Sequence, residues 1–383
     1  DIGAHDTMHP SPETAPLDVP YLDLSRARAR IAEELEARWR RVLETNAFVL
    51  GPEVREFEER FAAFLEVPAC AAVANGTDAL VLALRALGLR PGDEVLVPAF
   101  SFFATAEAVI LLGGRPVFCD VEPETLNLDP RDAASRVTPR TVGIIGVHLY
   151  GRPFDVPAVQ ALCARHGLWL LEDAAQAQGA RLDGKRVGGL GALASWSFYP
   201  TKNLACFGDG GAVSGPDREL VERVKRLANH GQTSRYHHVE VGTNSRLDSL
   251  QAAVLNCRLP RLDADNARRR ELACRYHGGL AGLGDLRLLQ DPPGAVSVYH
   301  QLTVRTARRD ELAQHLSVRG VGSSVHYPSP LHRQPALAGL IPDPGELPVA
   351  TAAAREVLCL PLYAELTDRE LEQVCEAVHG FYR

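Results

Sequence analysis

A lysine amine attacks a carbonyl only when neutral, and a protein favours that form by desolvation or by nearby positive charge. Lys202 is placed for such a role. It lies in SWSFYPTKNLACFGDGGAV (195–213), where a strand pattern ends in a Pro-containing turn and a Gly-rich return follows. Alone, a lysine is far more often a solvated surface charge. Upstream, LLEDAAQAQG (170–179) is an apolar strand ending in two acids. Asp173 at such an end would point into a pocket, where a carboxylate can pair with a protonated pyridine nitrogen. Capping a helix would explain the same residue.

Two further segments carry chemistry. In ANGTDAL (74–80) a strand runs into a helix through a small polar turn. Gly76 lets a phosphate approach the backbone, Thr77 offers a hydroxyl, and the first free N–H groups of the helix complete an anion site. An ordinary N-cap would look the same. In VPAFSFFAT (97–105) phenylalanines follow another strand end, and one of them could stack on a flat ring while the others fill the core. The conjunction is the argument. A phosphate cradle, an aromatic plate, an acid and a lysine follow one another in chain order at successive strand ends, and pyridoxal 5′-phosphate needs all four.

The elements that must position them follow from the hydrophobic pattern. Apolar segments at 70–74, 94–98, 115–120, 142–149 and 168–172 alternate with helical patterns at 77–87, 105–112, 130–137 and 155–166. That rhythm predicts βαβ units and a mostly parallel sheet with helices on both faces, its ligand pocket at the carboxyl ends of the strands. Two more strands, 192–198 and 211–214, have no room between them for a crossover helix, so an antiparallel element is predicted and the count reaches seven. Helices are also expected at 31–45, 53–65, 220–229 and 247–259. A smaller α+β lobe should follow Leu259-Pro260, with helices at 263–280, 310–319 and 368–379 and a strand at 298–304. The α/β chain therefore divides into a flexible segment 1–20, a large domain 21–259 and a small C-terminal domain 260–383. Residues 1–19 are polar and proline-punctuated and are expected to fray. The one methionine, Met8, would make Asp1 to Thr7 foreign to the natural chain if translation begins there.

Composition narrows the classes. With 383 residues, 46% hydrophobic and 23% charged, bulk disorder, repeat arrays and disulfide-dense mini-scaffolds drop out. The 41 basic residues against 48 acidic ones leave a net charge of −7, which gives no electrostatic footprint for nucleic acid. Apolar runs such as 104–112 are too short to span a bilayer, and no basic-then-apolar leader stands at the N-terminus, so no membrane partner and a cytoplasmic location are expected. Eight cysteines without a CxxC pair read as buried free thiols. His230, His237 and His238 lack acid or Cys ligands at recognised spacing, so no metal is expected. The basic stretch 258–270 reads as a solvated face, a dimer surface or a contact to a diphosphate.

GTDAL, LEDAAQAQGA and SFYPTKNLACFGDGGAV together resemble the DegT/DnrJ/EryC1/StrS family of sugar aminotransferases, with the aspartate aminotransferase-like fold (fold type I). The resemblance extends from Tyr21 to the C-terminus and includes FVLGPEV (48–54), VGTNSRLDSLQAA (241–253) and VHYPSPLH (325–332). It implies that Lys202 forms the Schiff base with pyridoxal 5′-phosphate, that Asp173 pairs with the pyridine nitrogen, and that Gln176 contacts the ring hydroxyl. Phe102 matches the stacking position. Thr77 with the Gly76 and Asp78 backbone, and Ser197, match the phosphate ligands, while Asn244 matches an asparagine lent to the neighbouring subunit of a homodimer with shared active sites. Where many members have His in an SFH motif, this chain has Tyr199. The resemblance associates SFYP…K with NSRLD in members that aminate the C-3 keto group of dTDP-linked deoxysugars, using an amino-acid donor, usually glutamate. Tyr199, Arg246, His326 and His332 are the expected neighbours of a nucleotide-linked keto-sugar. Amination at C-4, a cyclitol ketone as acceptor, or a non-catalytic regulator on this fold are the alternatives.

Overall fold

The structure, a computed structural model, describes residues 18–342 and 344–383. Strands β1 (Ala69–Val73), β2 (Glu94–Pro98), β3 (Arg115–Cys119), β4 (Thr141–Val147), β5 (Trp169–Asp173), β6 (Leu193–Ser197) and β7 (Gly211–Gly215) form one sheet in the order β1-β7-β6-β5-β4-β2-β3. The pairs β2–β3, β2–β4, β4–β5 and β5–β6 are parallel. β7 runs antiparallel to both β6 and β1, as the short return after Ser197 requires.

A sheet covered on both faces has strands that are apolar at every position, with successive side chains going to opposite sides. Ala71, Val73, Val95, Val97, Ile145, Leu171 and Val213 belong to one apolar cluster. Their chain neighbours Cys70, Ala72 and Ala212, and Leu96, Ile144 and Leu170, belong to the clusters opposite. Helices Gly76–Ala86, Ala104–Leu111, Val156–His166 and Arg218–Ala228 cover these faces. Gly146 lets the Phe154 ring lie flat against β4, because a Cβ there would overlap the ring.

Beyond the sheet, helix Ser249–Arg258 passes through the 3-10 turn Leu259–Arg261 into helix Leu262–Leu280, with Leu259 and Leu262 both in right-handed helical conformation. The expected handover at Leu259-Pro260 is therefore a nearly continuous helical path. Strands β8 (Arg287–Leu288), β9 (Leu302–Arg305) and β10 (Val357–Leu360) form a small antiparallel sheet in that order. β9 is shorter than the strand expected at 298–304, because the Val298 N–H turns away to Gly151 O at 2.9 Å. Val304, Leu312, Leu358, Val374 and Leu272 make a second core around this sheet. Leu331, Leu337, Leu347 and Ala350 instead join the apolar cluster of the large sheet, so the chain after Pro260 is shared between two cores. Asp120, just after β3, fastens it there by accepting the Val349 and Ala350 N–H groups at 3.0 and 2.8 Å.

Most of the segment expected to fray lies outside the described residues. Val19 corrects that expectation at its end. It is fully buried, and its N–H and C=O bond Gly320 and Gly322. An apolar residue in a polar stretch has docked on the second core. All eight cysteines are free and six are buried. No helix among the described residues is long and apolar enough to cross a membrane.

Candidate active site

The parallel strands deliver their carboxyl ends to one side of the sheet, and the site is built there. Asp173 is the last residue of β5 and is 6% exposed. Thr105 Oγ1 donates to its Oδ2 at 2.9 Å, the Ala175 N–H lies 3.3 Å from its Oδ1, and Ser101 Oγ stands 3.0 Å from Thr105 Oγ1. Burial pushes the Asp173 carboxyl above its ordinary range, and the bonds from Thr105 and Ala175 with the Lys202 charge pull it back. Behind it, the backbone N–H of His148 donates to Asp173 O at 3.0 Å. The His148 ring bonds Glu172 at 3.0 Å, and Glu172 accepts the Gly188, Leu190 and Gly191 N–H groups at 2.9, 2.8 and 2.7 Å. With that many partners, the fully buried Glu172 is a structural anchor for the end of β5.

Lys202 follows β6 in a turn closed by its own N–H on Tyr199 O at 2.8 Å. The chain has only three lysines. Lys185 is exposed and Lys225 is paired with Glu58 at 2.9 Å. Lys202 keeps some exposure, yet the protein around it desolvates the amine and pushes the ammonium down to about 8, with Asp173 opposing. A shallow cleft, open to solvent, reaches Lys202 from the side of Leu22, Ala27, Arg258 and Arg269; neither Asp173 nor Gly76 lines it.

The depressed value makes a measurable difference. The neutral fraction of Lys202 should reach its midpoint near pH 8 and be almost complete by about pH 10, whereas an ordinary lysine reaches its midpoint only near 10.4. Treatment of the cofactor-free chain with a pyridine aldehyde followed by borohydride, with peptide mapping, is expected to label Lys202 with that profile. Labelling that still climbs at pH 10, or that spreads evenly over Lys185 and Lys225, would contradict it.

On the other side of β6, Ser197 faces the start of helix Gly76–Ala86. A Cβ on Gly76 would lie 2.7 Å from Ser197 Cβ, so only glycine leaves this approach open. Asn75 caps the helix by accepting the Asp78 N–H at 2.8 Å. The Asp78 N–H, which the resemblance counts among the phosphate donors, is held by Asn75, a strong N-cap residue, in this fold. The Gly76 and Thr77 N–H groups, first in the helix, point out of it without a protein acceptor among the described residues. Phe100 is buried in the core, Phe103 is half-buried and Phe102 is 57% exposed, so Phe102 is the ring of the three most open to a ligand. Gln176, 5% exposed, accepts the Tyr150 N–H at 2.6 Å and donates to Tyr327 OH at 3.1 Å. Glycine cradle, free helix N–H groups, exposed ring, buried acid and desolvated lysine together fit a phosphorylated pyridine aldehyde.

The model of the DegT/DnrJ/EryC1/StrS aminotransferase family matches residues 29–379. The chain belongs to this family. It is 48% identical over 360 residues to dTDP-3-amino-3,4,6-trideoxy-alpha-D-glucose transaminase from Streptomyces venezuelae, covering 94% of this chain and 95% of that one. A solved structure of S. venezuelae DesV in complex with a ketimine intermediate superposes with a TM-score of 0.94 at 47% identity, over 96% of this chain and 99% of that one. NtdA from Bacillus subtilis, solved with bound cofactor PMP, gives a TM-score of 0.87 at 32% identity, over 97% of this chain and 86% of that one. The family member described here is a transaminase.

The expected substrate neighbours are more scattered. Tyr199 is 45% exposed beside Ser197, whose Oγ accepts its N–H at 3.4 Å. Arg246 donates to Asn229 Oδ1 at 3.1 Å, within the segment that carries the exposed Asn244. His326 lies half-buried with its ring 6.1 Å from that of Tyr21, and His332 lies 6.3 Å from Phe118. Among the described residues no group of three His, Cys, Asp or Glu could hold a metal ion.

Thr105, Tyr150, Tyr327 and His300 are additions that the sequence did not single out. His300 Nδ1 stands 3.3 Å from Asn203 Oδ1, and burial with the nearby Lys202 and Arg269 charges holds its imidazole well below the usual range, so it is neutral. Thr105 and Tyr327 stand inside the motifs 97–105 and 325–332 already noted, which is the only signal they give.

Proposed function

We propose that this family member binds pyridoxal 5′-phosphate through Lys202 and transfers an amino group from an amino acid, L-glutamate, to the C-3 keto group of a dTDP-linked 3-keto-6-deoxyhexose. The observation that carries the reading is what stands at the carboxyl ends of two neighbouring strands: beyond β6 a lysine amine made nucleophilic by desolvation, and at the end of β5 a buried carboxylate with no cationic side chain bonded to it among the described residues. When bound, the cofactor supplies an electron sink for the carbanion formed beside it. The protein's part is to hold and to move protons. Gly76 and Thr77 N–H groups with the Thr77 and Ser197 hydroxyls hold the phosphate, Phe102 covers the ring, Asp173 keeps the ring nitrogen protonated, and Gln176 faces the ring hydroxyl. Lys202, once displaced by the donor, carries the proton between donor and cofactor. The substrate follows the 48% identical relative named for a dTDP-3-aminosugar. Tyr199, Arg246, His326 and His332 are assigned to the sugar nucleotide on resemblance.

The working unit is proposed to be a homodimer. Asn244 is exposed and bridges Asn229 in its own subunit, so it is free to serve the phosphate of a second copy. Purified protein should convert L-glutamate and a dTDP-3-keto-6-deoxyhexose to 2-oxoglutarate and the 3-amino sugar, with product position read by NMR. Faster turnover of scyllo-inosose or of a 4-keto sugar would move the assignment to the alternatives, and absence of any visible cofactor band would favour a regulator. Mixed Lys202→Ala and Asn244→Ala subunits should recover up to about a quarter of parental sites through hybrid dimers. Hybrids that form and stay inactive would contradict the shared site.

A further inference from the structure

Gln176 and Tyr327 meet in a way that this reading leaves unused. The Tyr150 backbone N–H can only donate, so the end of Gln176 that it reaches at 2.6 Å is Oε1, and the opposite end is the amide nitrogen. Gln176 Nε2 therefore donates to the Tyr327 hydroxyl at 3.1 Å, and the hydroxyl oxygen accepts. The proton of Tyr327 is unspent, since no acceptor for it exists among the described residues. Burial pushes this phenol well above its usual range, and Asp173 and Cys359 add to that against the Gln176 bond, so the proton is there to be given.

The ring is held in place. Phe100 and Phe102 stand 6.3 and 6.0 Å away, the latter being the residue assigned to cover the cofactor. Tyr150 fixes both partners at once, Gln176 through its backbone N–H and the loop carrying Tyr327 through its hydroxyl on His326 O. The second N–H of the Gln176 amide and the O–H of Tyr327 are thus two neighbouring donors without a protein acceptor among the described residues, and both would be available to a ring hydroxyl facing Gln176.

We propose that Tyr327 is a cofactor-contacting residue, donating its O–H, together with Gln176, to the ring oxygen of the cofactor. The inference rests on the reading that the cofactor is bound through Lys202 and faces Gln176. Two donors favour the ionised oxygen, and an oxygen satisfied by the protein attracts the Schiff-base proton of Lys202 less. Tyr327 would then lower the proton affinity of that Schiff base and keep part of it neutral near pH 7.

Tyr327→Phe removes one oxygen atom and keeps the ring. In the loaded enzyme, titration of the visible absorption band with pH should show the proton affinity of the Schiff base rising about tenfold in this variant. Tyr150→Phe removes one of the bonds that hold the Tyr327 loop while leaving the Tyr327 hydroxyl, so it should shift the midpoint in the same direction by clearly less. A Tyr327→Phe enzyme that titrates with the parent overturns the proposal, and so does a Tyr150→Phe enzyme shifted by as much. If the parent band survives in Lys202→Ala, the reading of the cofactor site fails and this inference falls with it. If that band is lost while Tyr327→Phe leaves the midpoint unmoved, the tyrosine alone is wrong.

Discussion

Lys202→Ala is expected to lower turnover by at least about 10⁴-fold, because one residue both bonds the cofactor and carries the proton, and general acid–base transfer alone contributes about 10²–10⁴. Lys202→Arg should lose as much, since it restores a charge that cannot form the Schiff base. Neither loss should come from unfolding. The folded-state value of about 8 lies below that of an unfolded lysine, so between about pH 8 and 10.4 the unfolded chain binds more protons and the Lys202 contribution to stability rises with pH. Below that window the ammonium sits in a site that disfavours it. The alanine variant should therefore melt no lower than the cofactor-free parent at pH 7, and the gap between them should close as the pH is raised. Turnover within tenfold of the parent would remove Lys202 from the mechanism.

The strand ends were legible because the forces that make them are local. β2 is EVLVP, preceded by Gly92 and followed by the turn after Ala99, and it forms where its pattern places it. Gly76, Asp173 and Lys202 could be read because each stands where an apolar run stops, and a parallel sheet gathers those stops on one side. Helix Pro348–Glu356 was not legible. The residues that PVATAAARE buries are only alanines, which make a weak apolar signal in nine residues, and it runs directly into β10 without a turn residue. The fate of Val19 was hidden for another reason: its partner Val321 lies about three hundred residues away in sequence, and the bridge exists only once the second core has formed.

The same distinction divides the site. Which phenylalanine faces solvent depends on where the turn after β2 places each ring, and a string of three aromatics within four residues does not encode that. Tyr327 reaches Gln176 across 151 residues of sequence, and Thr105 reaches Asp173 across 68. These contacts are made by packing, so the sequence offers the side chains but not their meeting. Asp78 shows the converse: a local competitor, Asn75, accepts its N–H, a contact three residues apart that the sequence itself spells out.

Asp173→Asn is expected to separate function from stability. Asp173 is buried, its bonded partners are the neutral Thr105 hydroxyl and Ala175 N–H, and its carboxyl is held above the usual range. In the cofactor-free fold an ionised Asp173 at neutral pH is a cost. With a raised folded value, its contribution falls as pH rises through the range between the unfolded and folded values, and stays low above it. Asparagine can keep its oxygen on the Ala175 N–H and offer its NH2 to Thr105 Oγ1, whose proton then turns to Ser101 Oγ, and it carries no charge, so the cofactor-free variant should melt at or above the parent temperature at pH 7. In the loaded enzyme the carboxylate would face a protonated ring nitrogen, and losing one member of a buried charge pair costs about 3–5 kcal/mol. That corresponds to about 10²–10⁴ in kcat/KM. Melting of the cofactor-free proteins and steady-state rates of the loaded ones test both halves. A variant with lower melting temperature and near-parental rate would show Asp173 to be a structural residue of the strand end, and the acid of the site would have to be sought elsewhere.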